Sequence, residues 1–157
     1  MTDLLVKLYN LPEEPAVSKL LAAGFKIRKP LGSEKTLLTS WVRANFSEAW
    51  ASEVEIAFTQ TPLACYIAQH GPELVGFACY DASALGYFGP TGVAEGCRGQ
   101  GLGKALLLAC LHEMRLKGYG YAIIGWVGPQ EFYEKAVGAL EIPASTPGIW
   151  QDWLGGA

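Results

Sequence analysis

The residues with the clearest chemical potential in this sequence form a glycine-rich segment in its second half. Glycines at alternate positions let the backbone bend and bring its amide N–H groups close to a ligand. A helix is predicted to begin near Gly101, and its N-terminus would add partial positive charge at the same place. These features predict an anion site suited to a diphosphate. Its predicted binding residues are Arg98, Gly99, Gln100, Gly101, Leu102, Gly103 and Lys104.

Two other phosphate-binding motifs do not fit this segment. A nucleoside triphosphatase loop, G-x-x-x-x-G-K-[ST], requires glycine where Arg98 stands and a hydroxyl side chain where Ala105 stands. The dinucleotide motif G-x-G-x-x-G differs from the alternating G-x-G-x-G spacing, and the segment follows several predicted strands instead of opening the fold. Nucleotide hydrolysis and nicotinamide or flavin chemistry are therefore disfavoured.

The elements around the segment are predicted to position it at the edge of a strand. An antiparallel hairpin is expected from residues 64–69 and 73–80, joined by the turn residues His70, Gly71 and Pro72. Residues 83–93 predict the next strand, which Gly89 to Gly92 should interrupt with a bulge or splay. A long apolar helix at 101–117 then leads to a strand at 121–127. The strands at 83–93 and 121–127 should therefore be parallel neighbours.

The remaining elements are expected on either side of this unit. The helices at 33–45 and 47–58 precede the main hairpin and would wall a substrate cleft. The other expected elements are a strand at 4–9, a helix at 16–23, a helix at 130–137 and two terminal strands at 140–142 and 149–154. A chain of 157 residues with no linker or repeat predicts a single domain over residues 1–157.

The glycine-rich segment resembles a motif of the GNAT N-acetyltransferase superfamily. Residues 98–103 match the pattern [QR]-x-x-G-x-[GA], with the sequence GPTGV before them at 89–93 and FYEKAVGA after them at 132–139. The resemblance implies an α/β fold, with a mixed, twisted sheet of about six or seven strands splayed into a V and helices on both faces. It also implies that the pantetheine arm of acetyl-CoA enters the splay and that the loop amides hold the pyrophosphate.

Specific residues inherit roles from this resemblance. The main chain of Val93, with that of Gly92, would pair with pantetheine. Tyr133 is the first choice for a general acid, standing near the thioester sulfur to protonate the departing thiolate; the alternative is a ring that only packs on the sheet. Relatives often carry an asparagine a few residues before this tyrosine, and this sequence has none there.

A base is needed because the acceptor amine must lose a proton before it attacks the thioester. The candidates are Glu95, Asp81, Glu55 and Glu53, and Glu95 is taken as the catalytic candidate because it follows the splayed strand. Both Glu95 and Asp81 also fit an exposed loop carboxylate. The aromatic residues considered for an acceptor pocket are Trp41, Trp50, Tyr80, Tyr87, Phe88 and Trp126.

Composition limits the classes of function. The net charge is −3 and the basic residues form no stripe, which argues against a nucleic-acid partner. The longest apolar runs are too short to span a membrane. The four cysteines lie far apart and only two histidines are present, so reduced core thiols and no metal are expected. The N-terminal residues lack the features of a secretory signal, which predicts the cytoplasm.

The function predicted from the sequence is transfer of an acetyl group from acetyl-CoA to a primary amine of a small molecule, by direct attack. Two alternatives stay open. One is a CoA-binding regulatory module without acceptor chemistry. The other is an acyltransferase that uses another acyl-CoA or acylates a protein N-terminus. The sequence leaves the oligomeric state open, a homodimer included.

Overall fold

The computed structural model describes residues 1–13 and 17–155 and contains one mixed sheet with helices on both faces. Its strands are β1 Leu4–Lys7, β2 Phe25–Arg28, β3 Cys65–His70, β4 Glu73–Tyr80, β5 Tyr87–Val93, β6 Tyr121–Ile124 and β7 Leu140–Glu141. Its helices are α1 Val17–Ala22, α2 Lys35–Asn45, α3 Glu48–Thr59, α4 Leu102–Lys117 and α5 Gln130–Val137. The strand order across the sheet is β2-β3-β4-β5-β6-β1-β7. The predicted α/β fold, with a mixed sheet of about six or seven strands and helices on both faces, is confirmed.

The central unit of the sheet follows the sequence prediction closely. Strands β3 and β4 form the expected antiparallel hairpin. Strand β5 pairs in parallel with β6, and the long helix α4 connects the two in sequence. Helix α4 is buried on more than one side because leucines fill both flanks of its apolar stripe. It ends at Gly118, whose φ of +113° is a conformation that glycine adopts readily.

Alternate residues of β4 show which helices cover each face of the sheet. The Phe77 ring packs against Trp41, Phe46 and Trp50 of the α2–α3 layer. The Tyr80 side chain points to the other face, where its hydroxyl donates a hydrogen bond to a carboxylate of α4 at 3.1 Å. Helices α2 and α3 therefore cover one face and α4 covers the opposite face, as strand alternation requires.

Two strand predictions near the chain ends need correction. The strand expected at 149–154 is absent, and a short 3-10 turn at Gly148–Trp150 stands there instead. The side chain of Trp150, at the end of this turn, packs against that of Trp153, whereas a strand would place residues three apart on opposite faces. Strand β2 was not predicted, and it pairs with β3 along the sheet edge. The predicted helix start at Ala16 lies outside the described residues.

The N-terminal strand takes a place that the sequence did not indicate. Strand β1 lies between β6 and β7 and pairs antiparallel with both. The first residues of the chain are thereby joined to the segment after α5, since the Asp3 carbonyl also accepts a hydrogen bond from the Ile142 amide at 2.9 Å. This insertion brings the two ends of the described chain together beside β6.

Asp81 differs from its expected character as an exposed loop carboxylate. It is 2% exposed and anchors the turn between β4 and β5. Its carboxylate accepts hydrogen bonds from the Gly86 amide at 2.7 Å and the Tyr119 hydroxyl at 2.9 Å, and it pairs with Lys117 at 2.6 Å. Buried charges need such partners, so Asp81 has a structural role. Because residues 81–86 form this turn, strand β5 begins at Tyr87 and not at the expected residue 83.

Within residues 1–13 and 17–155, every helix is too short or too polar to cross a bilayer.

Candidate active site

The sheet opens where β5 and β6 separate. These parallel strands pair only at Tyr87 with Ile123 and at Phe88 with Ile124. Beyond these pairs β5 continues to Val93, whereas β6 ends and the chain turns away at Trp126, whose φ is +51°. The strand predicted at 121–127 therefore stops at Ile124. The expected splay is present at this point.

A bulge in β5 coincides with the opening. Ala78 and Tyr80 of β4 face Thr91 and Phe88 of β5, so two residues of β5 stand opposite a single residue of β4. The two residues are Gly89 and Pro90, and proline cannot donate to a strand ladder. The bulge predicted at 89–92 is thus confirmed and bends β5 beside the splay.

A cleft of about 940 Å³ occupies the space between the separated strands. Its walls come from the N-terminal half of α3, from residues 87–91 of β5, from the segment 124–129 and from the start of α5. Trp150 and Trp153 close the side nearest the C-terminal segment. The volume suits a small organic ligand.

Tyr133 is the residue of α5 that the sequence singled out, and it lines this cleft. It is 7% exposed, and its ring lies 6.5 Å from Phe88 and 5.0 Å from Phe132, measured between centroids. Burial raises the pKa of the Tyr133 phenol to about 12. The hydroxyl therefore stays protonated at neutral pH, as a proton donor requires.

Glu53 is the carboxylate that the structure brings to the cleft. It lies on α3 among the lining residues, half-buried, and burial raises the pKa of its carboxyl above the ordinary value. The neighbouring Ser83 side chain, also in the lining, partly offsets this shift. A carboxyl with a raised pKa in a cleft is a candidate acid or base.

The other candidate bases lie elsewhere. Glu95 is exposed in a short turn at Glu95–Cys97, ahead of the glycine-rich loop, and is not among the cleft-lining residues. Glu55 is exposed on α3, and Asp81 is held in the turn before β5. The sequence favours Glu95 as the base, whereas position in the structure favours Glu53.

The glycine-rich loop presents unpaired amides at the start of α4. Gly99 and Gly101 have φ values of +81° and +89°, which side chains rarely adopt. Within the described part of the chain, the amides of residues 99–104 donate no hydrogen bond, and α4 has no side-chain cap. A Cβ atom built on Gly99, Gly101 or Gly103 would meet no atom within 4 Å. The loop thus combines open space with free N–H donors, which is the arrangement that binds an anion.

The two basic residues of the loop differ in position. Arg98 is exposed, and its Nε donates a hydrogen bond to the Val93 carbonyl at 3.1 Å. This bond joins the loop to the end of β5, and the other guanidinium nitrogens of Arg98 form no hydrogen bond with the described residues. Lys104 is half-buried in the first turn of α4. The positively charged side chains of Arg98 and Lys104 thus stand at the two ends of the segment with unpaired amides.

The main chain of β5 alternates between β4 and the splay. The Ala94 amide donates a hydrogen bond to the Val75 carbonyl at 2.7 Å, which makes these two residues a hydrogen-bonded pair of the ladder. Hydrogen-bonded and non-hydrogen-bonded pairs alternate along antiparallel strands. By this alternation Gly92 faces β4, whereas the main-chain groups of Thr91 and Val93 point toward the splay. Val93 therefore has the orientation expected for pairing with pantetheine, and Gly92 does not.

Gly92 instead has a packing role. A Cβ atom at this position would lie 2.7 Å from Cε1 of Phe46, closer than carbon atoms approach in proteins. The Phe46 ring packs against Phe77 and Trp50 in the α2–α3 layer. Glycine is needed at position 92 because this ring lies directly on the strand.

Three tryptophans form a wall on the side of the cleft near the C-terminal segment. The ring centroids of Trp126, Trp150 and Trp153 are 5.5 to 6.1 Å apart. The indole N–H groups of Trp126 and Trp150 are buried without a hydrogen-bond partner among the described residues. The sequence suggested Trp126 for the pocket but missed Trp150 and Trp153, because they were assigned to a strand.

The other aromatic candidates divide between the cleft and the core. Trp50, Tyr87 and Phe88 line the cleft as suggested. Trp41 packs against Phe46 and Phe77 in the core layer, and Tyr80 points to the opposite face of the sheet. Aromatic spacing alone did not distinguish these two groups.

Residues 35–139 match the family model of the Acetyltransferase (GNAT) family. Because the match covers more than half of the chain, the protein belongs to this family of acetyltransferases. No curated protein matches the sequence.

Solved structures share the fold at low sequence identity. A glucosamine N-acetyltransferase region of a fungal multi-domain GH3 beta-N-acetylglucosaminidase has 16% identity and a TM-score of 0.72, over 90% of this chain and 19% of that one. A GCN5-related N-acetyltransferase from Sphaerobacter thermophilus has 19% identity and a TM-score of 0.67, over 90% and 48%. One from Kribbella flavida has 18% identity and a TM-score of 0.50, over 78% and 46%. The chain thus spans from about one fifth to about half of these proteins.

Proposed function

We propose that this protein transfers an acetyl group from acetyl-CoA to the primary amine of a small molecule. The observation that carries this proposal is the continuity of the site along β5. The unpaired amides at 99–104 lead to the outward main chain of Val93 and Thr91, and Thr91 already lines the cleft that contains Tyr133. Membership of the GNAT family supports the choice of acetyl transfer.

The residues along this path fit coenzyme A. The amides of 99–104, with Arg98 and Lys104, would hold the diphosphate. The outward N–H of Val93 would donate to an amide carbonyl of the pantetheine arm. Its C=O already accepts a hydrogen bond from Arg98 Nε and has a second lone pair for a pantetheine N–H. When bound, acetyl-CoA supplies the acetyl group as a thioester, and this path directs that end into the cleft near Tyr133. The proposal involves no metal.

Glu53 and Tyr133 would have separate roles in the transfer. The Glu53 carboxylate takes a proton from the acceptor ammonium, directly or through one water, and the free amine then attacks the thioester carbonyl carbon. The carbon–nitrogen bond forms and the carbon–sulfur bond breaks, with the electron pair leaving on sulfur. The Tyr133 hydroxyl donates a hydrogen bond to this thiolate. The nitrogen loses its second proton as the amide forms, and that proton passes to the thiolate, directly or through water, so that the phenol keeps its own. Glu53 takes the place of Glu95 here because Glu95 lies outside the cleft lining.

The experiment for this proposal begins with calorimetric titration of the purified protein. Acetyl-CoA is expected to bind, whereas NADH and ATP at the same concentrations should not. Release of free thiol is then followed with a panel of primary amines. Propionyl-CoA and butyryl-CoA in the same assay test for a longer acyl group, and a peptide with a free N-terminus tests for a protein acceptor.

The outcomes separate the alternatives. Binding with thiol release supports the transferase and identifies its acceptor class. Binding without release, across small amines and peptide, would instead favour a CoA-binding regulatory module. Failure to bind acetyl-CoA would refute the proposal. A cytoplasmic location stays a prediction from the sequence, and the oligomeric state, a homodimer included, stays open.

A further inference from the structure

The charge of the cleft limits which acceptors it can bind. Among the described residues that line it, Glu53 is the only one with a charged side chain. Arg98 and Lys104 are not part of this lining and belong to the predicted diphosphate site. A carboxylate or phosphate next to the acceptor amine would face Glu53, and the described lining residues offer no basic side chain to balance it. The site therefore favours a single positive charge and disfavours anionic groups.

The tryptophans that share the cleft lining with Glu53 limit the body of the acceptor. The wall consists of the indole rings of Trp126, Trp150 and Trp153, whose centroids are 5.5 to 6.1 Å apart. Trp50 lies three residues before Glu53 on α3, so its ring shares a helix face with the carboxylate. Flat aromatic or apolar groups pack well on such rings, and tryptophan is also the ring that best attracts a cation.

The tryptophan wall is fixed by contacts between distant parts of the chain. The Asp3 carboxylate accepts a hydrogen bond from the Trp126 amide at 3.1 Å, in a backbone conformation that side chains rarely adopt. The Asp3 amide in turn donates to the Ser145 hydroxyl at 2.8 Å. A Cβ atom at Gly148 would lie 2.9 Å from the Asp3 carboxylate, so the turn that carries Trp150 packs closely on the same residue. Asp3 thus positions the wall.

We infer that the acceptor is a small amine with one positive charge, a flat aromatic or apolar body and no anionic group. This inference rests on the proposed acetyl transfer and names its substrate class. The ammonium group lies at Glu53, which takes its proton, and the body lies against Trp126, Trp150 and Trp153. The specificity comes from two features together, the lone carboxylate and the tryptophan wall.

Three amines test the inference directly. 2-Phenylethylamine has the expected charge and body, phenylalanine has the same body with an added carboxylate, and glucosamine has one charge on a polar body. With acetyl-CoA held at saturation, kcat/KM for 2-phenylethylamine should exceed the value for each of the other two at least tenfold. Calorimetry with acetyl-CoA is run in parallel as the readout of cofactor binding.

The wall is tested with Trp153→Ala, matched with Tyr9→Ala as control. Both side chains are about half exposed, at 41% and 51%, so neither truncation opens the core. Tyr9 lies outside the cleft lining. Trp153→Ala should lower kcat/KM for 2-phenylethylamine at least fivefold, mainly through KM, with acetyl-CoA affinity unchanged. Tyr9→Ala should leave both quantities unchanged.

Each result has a definite consequence. Faster turnover of phenylalanine or glucosamine would overturn the inference and leave the proposed acetyl transfer standing. An unchanged KM in Trp153→Ala would overturn the role of the wall. Absence of acetyl-CoA binding would overturn the proposed function, and the inference with it.

Discussion

Replacement of Tyr133 by phenylalanine removes a single hydroxyl from the candidate site. The ring contacts with Phe88 and Phe132 are kept, because phenylalanine has the same ring. The hydroxyl has no hydrogen-bond partner within the part of the chain that is described. Loss of an unpartnered hydroxyl leaves no orphaned group behind. The free energy of unfolding should therefore change by less than about 0.5 kcal/mol.

The expected effect on rate follows from the raised pKa of Tyr133. Its phenol has a pKa of about 12, whereas an ordinary thiol has a pKa of about 8.5. Complete proton transfer to a thiolate is thus uphill by about 3.5 pKa units, or about 5 kcal/mol, unless the cleft also raises the thiol pKa. Tyr133 would act chiefly by hydrogen-bonding to the developing thiolate. We therefore expect Tyr133→Phe to lower kcat about 10- to 100-fold, at or below the low end of the range for general acid catalysis.

The assay is thiol release at saturating acetyl-CoA and amine, with Tyr121→Phe as the matched control. Tyr121 is half exposed and lies outside the cleft, so its variant should keep the wild-type kcat. The wild-type rate should show no loss on the alkaline side below about pH 11, because a phenol with a pKa of about 12 keeps its proton there. A Tyr133→Phe kcat within twofold of wild type, in a protein of unchanged Tm, would refute the assignment.

Three further substitutions test other parts of the site. Gly103→Val should lower acetyl-CoA affinity at least 100-fold by calorimetry, because the side chain would occupy the space of the diphosphate. The Tm should change little, since φ at Gly103 is not positive and a Cβ there meets no other atom of the fold. Retained affinity would contradict the anion site. Glu53→Gln should lower kcat/KM at least 100-fold and remove the acidic limb of the pH profile. That limb should lie above the ordinary glutamate range, because burial raises the Glu53 pKa and activity is lost as pH falls through it; a limb that survives in the variant would exclude Glu53. Asp81→Ala should lower the free energy of unfolding by about 3 kcal/mol in urea titration while acetyl-CoA affinity is kept, because it removes a buried partner of Lys117; an unchanged midpoint would contradict its structural role.

The raised pKa of Glu53 also has a consequence for stability, with a definite sign. Burial disfavours the charged carboxylate, so the folded protein binds this proton more tightly than the unfolded chain does. The resulting stabilisation is fully present below the ordinary glutamate pKa and is lost as pH rises through the folded value. Glu53→Gln should therefore gain stability relative to wild type between acidic and neutral pH, as measured by urea unfolding at both values. An equal difference at the two pH values would contradict the burial of the carboxylate.

Local sequence determined much of the framework, because its signals act over short distances. Alternating β-rich residues around His70, Gly71 and Pro72 predicted the hairpin, and the structure contains it. The apolar stripe of α4 and the glycine at its end predicted that helix to within a residue. The glycine pattern at 99–103 predicted a loop with free amides at a helix start, since glycine is what such a backbone requires. The bulge at Gly89 and Pro90 followed from the same kind of reasoning.

Only the tertiary structure decided which side chains meet in the cleft. Glu53 and Glu95 are equivalent as sequence letters, and it is the packing of α3 on the sheet that brings Glu53 to the lining. The sequence suggests Gly92 as a cofactor contact, whereas in the fold the ring of Phe46, 46 positions earlier in the chain, packs directly on it. The tryptophan wall depends on Asp3 reaching both Trp126 and Gly148 through the insertion of β1 beside β6. Periodicity carries no information on contacts between residues so far apart in the chain, because many partners would satisfy the same local pattern and only the packed fold selects one.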